Sequence, residues 1–131
     1  MQKKIYYHDT DSGGVVYYAN YLKFLEEART EAMREVGLEI KELSQQGILF
    51  VVRRQEIDYK APAIYGDILD VSTWISAISA AQLTFQARIK NQDGQLISTA
   101  KTLLVCVDSS LKPQAIPQEL KDKLSSLQKP D

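Results

Sequence analysis

Gln82-Leu83-Thr84-Phe85-Gln86-Ala87-Arg88-Ile89-Lys90-Asn91-Gln92-Asp93-Gly94, followed by a return from Leu96 to Val107, decides the fold of this chain. Leu83, Phe85, Ala87 and Ile89 alternate strictly with Gln82, Thr84, Gln86, Arg88 and Lys90, which is the period of a strand with one face in a core and the other in water. Asn91-Gln92-Asp93-Gly94 is a hairpin turn, because Asp-Gly tolerates the positive φ of a tight connection. Two long strands joined by so few residues must run antiparallel. Working upstream, Ile68 to Ser76 is a further strand with Leu69, Val71 and Ile75 on one face. Before it, Gly47 introduces Ile48-Leu49-Phe50-Val51-Val52, a β-rich run that continues through Ile57 and Tyr59 until Pro62. No helix separates these later strands, which disfavours a parallel doubly wound sheet.

The helical part lies nearer the amino terminus. From Tyr21, apolar or small residues recur at Leu25, Ala28, Ala32 and Val36, with Leu22, Phe24 and Met33 widening the stripe. Glu26, Glu27, Arg29, Glu31, Arg34 and Glu35 supply the wet face, and Gly37 stands where a helix stops. Alanine at 28 and 32 leaves room for a curved sheet to approach the helix backbone. A short strand from Lys4 to Tyr7 precedes this helix, a short second helix covers Ile40 to Gln46, and Pro117 opens a terminal helix carrying Leu120, Leu124 and Leu127. The chain is expected to be one domain over 1–131 with a polar tail from about 128. Its order of strand, long helix and hairpin-linked strands implies an α+β fold, an antiparallel sheet wrapped on one central helix.

Composition narrows the function classes. The chain has 131 residues, 44% of them apolar, with 16 basic against 17 acidic side chains, so its net charge of -1 gives no global attraction for nucleic acid. One cysteine, Cys106, excludes an internal disulfide, and one histidine, His8, argues against a structural zinc site. No stretch approaches the length of a membrane span, and the start lacks the apolar run of a signal peptide. A cytoplasmic, metal-free protein with no nucleic-acid partner is the expectation.

The chemistry is concentrated in Tyr6-Tyr7-His8-Asp9-Thr10-Asp11-Ser12-Gly13-Gly14-Val15-Val16-Tyr17-Tyr18-Ala19-Asn20-Tyr21. Two carboxylates and a glycine pair stand directly before the long helix, so a backbone that folds back at the glycines brings a carboxylate near a helix start and its free N–H groups. Judged alone, Asp9 and Asp11 are turn formers that satisfy local amides. An Asp-x-Asp after a short strand also fits the nucleophile loop of haloacid-dehalogenase-type phosphatases, but that fold needs a parallel sheet with crossover helices and later magnesium-binding motifs.

Asp9 to Tyr21, with Phe24-Leu25-Glu26-Glu27-Ala28-Arg29-Thr30-Glu31, Phe50-Val51-Val52-Arg53-Arg54, Tyr59-Lys60-Ala61-Pro62-Ala63 and Leu103 to Asp108, resembles the hotdog-fold acyl-CoA thioesterases. Within these, the chain is similar to the 4-hydroxybenzoyl-CoA and Tol-Pal-associated branch. The likeness runs over nearly the whole chain, and its first motif is the specific one. It implies a hotdog fold, a homodimer or homotetramer with active sites at the subunit interface, an acyl-CoA substrate and no cofactor, CoA being part of the substrate. It also implies that Asp11 is the catalytic nucleophile or general base and that the backbone N–H of Tyr18 polarises the thioester oxygen. Gly14, Val15, Val16 and Tyr17 are expected near the substrate, while Asp9 is structural.

The remaining candidates have two readings each. Asn20 either caps and orients the helix start or touches substrate. Arg53, Arg54 and Lys60 are either solvated charges or contacts for CoA phosphates. Tyr17 and Tyr21 also fit half-buried packing with a wet hydroxyl, His8 a strand end, and Cys106 a small core side chain. Two departures from the family are visible. Many Tol-Pal-associated members carry His where this chain has Tyr18, and the turn Ala77-Ile78-Ser79-Ala80-Ala81 lacks the basic residues found there in relatives. A thioesterase acting on acyl carrier protein and a non-catalytic acyl-binding or scaffolding protein are the alternatives.

Overall fold

The computed structural model describes residues 1–128. Five strands, β1 (Gln2–Lys4), β2 (Leu49–Tyr59), β3 (Ile68–Ile78), β4 (Gln82–Lys90) and β5 (Leu96–Val107), form one sheet in the order β1-β3-β4-β5-β2, and every pairing is antiparallel. The β4–β5 hairpin sets the register, with Ala87 opposite Ala100 and Phe85 opposite Thr102. The helices are α1 (Asn20–Glu35), α2 (Ile40–Gln45) and α3 (Gln118–Leu124), the last prolonged by a 3-10 turn at Ser125–Leu127.

Helix α1 is the central helix of a hotdog fold. Tyr21, Phe24, Leu25 and Ala28 are buried in one cluster with Leu69, Val71, Ala87, Ile89 and Ile97 from the sheet. Each large side chain so buried contributes about 1.5–3 kcal/mol. Gly37 ends the helix with φ +85°, and the N–H of Leu38 donates to the Met33 carbonyl at 2.9 Å, the closing bond of a left-handed helix cap. Further along, Met33, Leu38 and Leu43 meet Ile75, Leu83, Phe85, Leu104 and Cys106, and Ile116, Leu120 and Leu124 close that end.

Six sequence expectations change. The first strand covers Gln2–Lys4 rather than Lys4 to Tyr7, because Tyr7–Asp9 curls into a 3-10 turn in which the Asp9 carboxylate takes the N–H of Tyr6. His8 therefore sits in a turn and not at a strand end. Leu22 is exposed, and Ala32 is only partly covered, lining an open cleft beside Trp74 and Arg88. Arg29, expected on the wet face, instead tucks its long stem under the sheet and reaches the Thr102 hydroxyl at 3.5 Å, and burial pushes its pKa down. Tyr21 is buried rather than half-buried, with 3% of its surface exposed. The polar tail beyond Gln128 lies outside the described residues.

Candidate active site

The site is built from two short loops that the sheet brings together. In the first, Asp9 is buried; its Oδ2 accepts the N–H of Tyr6 at 2.9 Å, and its carbonyl accepts the N–H of Tyr17 at 3.0 Å and Nδ2 of Asn20 at 2.9 Å. Asp9 thus stitches the loop to the start of α1. Asn20 spends its amide N–H on that stitch.

Between these anchors the chain makes a small hairpin. Thr10 bridges Val16, the N–H of Asp11 donates to the Val15 carbonyl at 2.8 Å, and the N–H of Gly14 donates to the Asp11 carbonyl at 3.0 Å. Gly14 takes φ +82°, a conformation that disfavours any side chain, so a glycine makes this turn. Val15 bridges Ile64 and the N–H of Val16 donates to the Ala63 carbonyl at 2.8 Å, which fastens the hairpin to the segment that follows β2.

The Asp11 carboxylate stands at the tip. Its Oδ1 accepts the N–H of Gly13 at 2.8 Å, and its Oδ2 has no hydrogen-bond partner among the described residues. A Cβ on Gly13 would sit 3.2 Å from that Oδ1, so the first glycine gives the carboxylate its room.

Asp11 opens into a groove of about 360 Å³ lined by Val15, Val16, Tyr18 and Tyr21 from the hairpin and helix start and by Tyr59, Lys60, Ala61 and Pro62 from the end of β2. The helix start offers donors. The N–H of Asn20 donates to the Tyr17 carbonyl at 2.9 Å, whereas the N–H groups of Tyr18 and Ala19 have no acceptor among the described residues. They stand at the positive end of the α1 dipole. Tyr59 packs its ring edge-on against Tyr21, centroids 5.4 Å apart, and against Tyr18 at 6.4 Å. Its hydroxyl donates to the Tyr18 carbonyl at 3.1 Å.

The phenols here are neutral donors. Burial first, and then the neighbouring Tyr18, raise the pKa of Tyr59; burial raises that of Tyr21; and the hydrogen bond with Tyr18 raises that of Tyr17. One acidic and one basic side chain, Asp11 and Lys60, line the groove beside them.

The expected site residues divide. Asp11, Tyr18, Val15, Val16 and Lys60 meet in the groove; Tyr17 stands behind it, its ring 4.9 Å from that of Tyr18. Arg53 lies at a bulge in β2 and Arg54 pairs with Glu56 at 2.9 Å, and neither lines the groove. Tyr59, Tyr21, Ala61 and Pro62 were not among the expected site residues. The available signal was Pro62, which ends β2 and so turns the chain beside the Asp11 hairpin. Among the described residues no three His, Cys, Asp or Glu side chains converge to hold a metal ion, and no helix is long and apolar enough to cross a membrane.

This arrangement can present a carboxylate oxygen to one side of a carbonyl and fixed N–H donors to its oxygen, which is what acyl transfer needs. Comparison with known proteins points the same way. Residues 6–124 match the thioesterase-like superfamily. The chain is 41% identical over 118 residues to the acyl-CoA thioester hydrolase YbgC of Escherichia coli, covering 89% of this chain and 88% of that one. It is 40% identical over 120 residues to the acyl-CoA thioesterase YbgC of Haemophilus influenzae, 90% and 88% of the two chains. Among solved structures, a 1,4-dihydroxy-2-naphthoyl-CoA thioesterase from Synechocystis superposes with a TM-score of 0.89 at 28% identity, covering 99% of this chain and 97% of the other. The chain belongs to the thioesterase-like superfamily, on the branch that holds the YbgC acyl-CoA thioesterases.

Proposed function

We propose that this thioester hydrolase acts on acyl-CoA, with Asp11 as nucleophile or general base and the N–H of Tyr18 as oxyanion donor. The observation that carries the reading is that Asp11, with a carboxylate oxygen that has no partner among the described residues, lines one groove with Tyr18, whose N–H at the helix start is likewise unpaired there. As nucleophile, the carboxylate adds to the thioester carbon, the carbonyl electrons move onto the oxygen facing the helix start, and collapse expels CoA as thiolate, leaving a mixed anhydride that water opens. As base, the same oxygen takes a proton from water while the hydroxide adds, and collapse gives free acid and CoA directly. Both routes place charge on the thioester oxygen, where preorganised donors act most strongly. Neither route calls for a group beyond water and the substrate itself.

Lys60 is the cation at the groove suited to a CoA phosphate, and Val15, Val16 and Tyr59 supply an apolar wall for the acyl group. The protein is proposed to work as a homodimer or homotetramer with its sites at the subunit interface. Strand β2 supports this: it is an eleven-residue edge strand paired only with β5, it exposes Val51 and Val52, and it ends at Tyr59 in the groove. A second copy seated along that edge would narrow the open side. The lone, buried Cys106 suits the cytoplasm, where the enzyme is proposed to act.

The test is thiol release from a panel of short-chain, long-chain and aromatic acyl-CoAs, with the molar mass measured by light scattering. Turnover of at least one class by an oligomer is expected. A folded protein inert on every acyl-CoA, yet active on acyl carrier protein thioesters, would replace the substrate, and inertness on both would replace the reading with a binding role.

A further inference from the structure

Tyr59 and the helix start are 41 residues apart, yet one hydrogen bond joins them: the Tyr59 hydroxyl donates to the Tyr18 carbonyl at 3.1 Å. In a trans peptide the carbonyl and the N–H of the same unit point in opposite directions. Among the described residues every peptide bond is trans, so fixing the Tyr18 carbonyl also fixes the direction of the N–H of Ala19. The preceding unit is held in the same way, since the Tyr17 carbonyl accepts the N–H of Asn20 at 2.9 Å, and that unit carries the N–H of Tyr18. Two consecutive peptide units are thus clamped at their carbonyls while their N–H groups have no acceptor among the described residues. A donor at a carbonyl also polarises its own peptide and strengthens that unit's N–H as a donor.

We infer that Tyr59 is a positioning residue for the reaction: its hydroxyl orients the peptide that presents the N–H of Ala19, making a two-donor cradle with the N–H of Tyr18, while its ring forms the acyl wall with Val15. The inference rests on the proposed role of Asp11 and the helix start. The two functions of the side chain separate by chemistry. The hydroxyl acts on the developing oxyanion, where a donor counts more than in the bound substrate, and so bears on kcat. The ring is in place before and after reaction and bears on acyl binding.

The hydroxyl is well suited to this task. Burial and the neighbouring Tyr18 raise its pKa, so it remains a donor throughout the neutral range. Its ring is held edge-on by Tyr21, which is itself buried against Phe24, centroids 5.9 Å apart. Removing the oxygen alone therefore leaves the ring seated.

The experiment compares wild type, Tyr59→Phe, Tyr59→Leu and Asp11→Asn on the best acyl-CoA of the panel, with thermal midpoints for each. Tyr59→Phe is expected to lower kcat roughly five- to tenfold, the weight of one ordinary hydrogen bond, with KM within a factor of two and the midpoint within about 2 °C of wild type. Tyr59→Leu is expected to show the same kcat loss and, in addition, a raised KM that is larger for aromatic than for short aliphatic acyl groups. Wild-type kcat in Tyr59→Phe beside an inactive Asp11→Asn would overturn this inference and leave the catalytic reading standing. A KM change with unaltered kcat would also overturn it, as would a kcat loss matched by a fall in midpoint of several degrees. Full activity in Asp11→Asn would instead remove the reading on which the inference rests.

Discussion

At the carboxyl end of α1 the interior is aliphatic: Leu38 and Leu43 from the α2 side, Ile75, Leu83 and Leu104 from the sheet, and Ile116, Leu120 and Leu124 from the chain end are buried in one cluster. At the amino end the same helix starts among tyrosines. All seven lie at this end, and six of them expose a large part of their rings. The difference teaches which end is built for packing and which for contact. Aliphatic side chains fill space and offer nothing else, whereas a phenol packs its ring while keeping a donor available. The open end is tied together by hydrogen bonds in which the Asp9 carboxylate accepts a backbone N–H and the Asn20 amide and Tyr59 hydroxyl donate to backbone carbonyls, so it can stay uncovered without collapsing.

That contrast can be broken from either side. The largest stability effect is expected from Leu124→Ala at the closed end, where a fully buried side chain is removed: about 2–5 kcal/mol lost in urea unfolding, with kcat per folded molecule unchanged. A loss of activity at full folding would show that the two ends are coupled. At the open end Asp9→Asn should cost about 1–2 kcal/mol, because the buried carboxylate that takes the Tyr6 N–H becomes an amide. Its midpoint should fall more than its kcat. Gly14→Ala is the smallest perturbation, about 1 kcal/mol of backbone strain at positive φ with no steric contact to relieve. Circular dichroism melts would read it, and a stable Gly14→Ala protein with wild-type midpoint would mean that the hairpin tolerates another turn type.

The same division explains what was legible in the sequence. The closed end was legible because it rests on local periodicity: Leu83 and Phe85 alternate with polar residues in β4, and Leu120 and Leu124 recur at helical spacing. The open end depends on side chains that answer distant groups. Asp11 and Lys60 stood among the expected site residues and Tyr59 did not, since a hydroxyl that reaches a carbonyl 41 residues away leaves no local pattern. Arg29 was misread as solvated because its position on the helix says where the Cα lies and not where a long flexible side chain ends. The first strand was misread because Asp9 competes for the Tyr6 N–H that a strand would have used. Arg53 and Arg54 belong to β2, whose direction at its bulge no composition rule specifies.

The measurement that tests the account most directly is kcat for thiol release by wild type and Asp11→Asn, run side by side with melting and elution volume. The substitution keeps the size of the side chain and an oxygen for the Gly13 N–H, so folding and assembly should be unchanged. The account predicts that kcat falls by about 10³-fold or more, the scale of losing a nucleophile or general base. A well-folded Asp11→Asn protein within tenfold of wild type would contradict it.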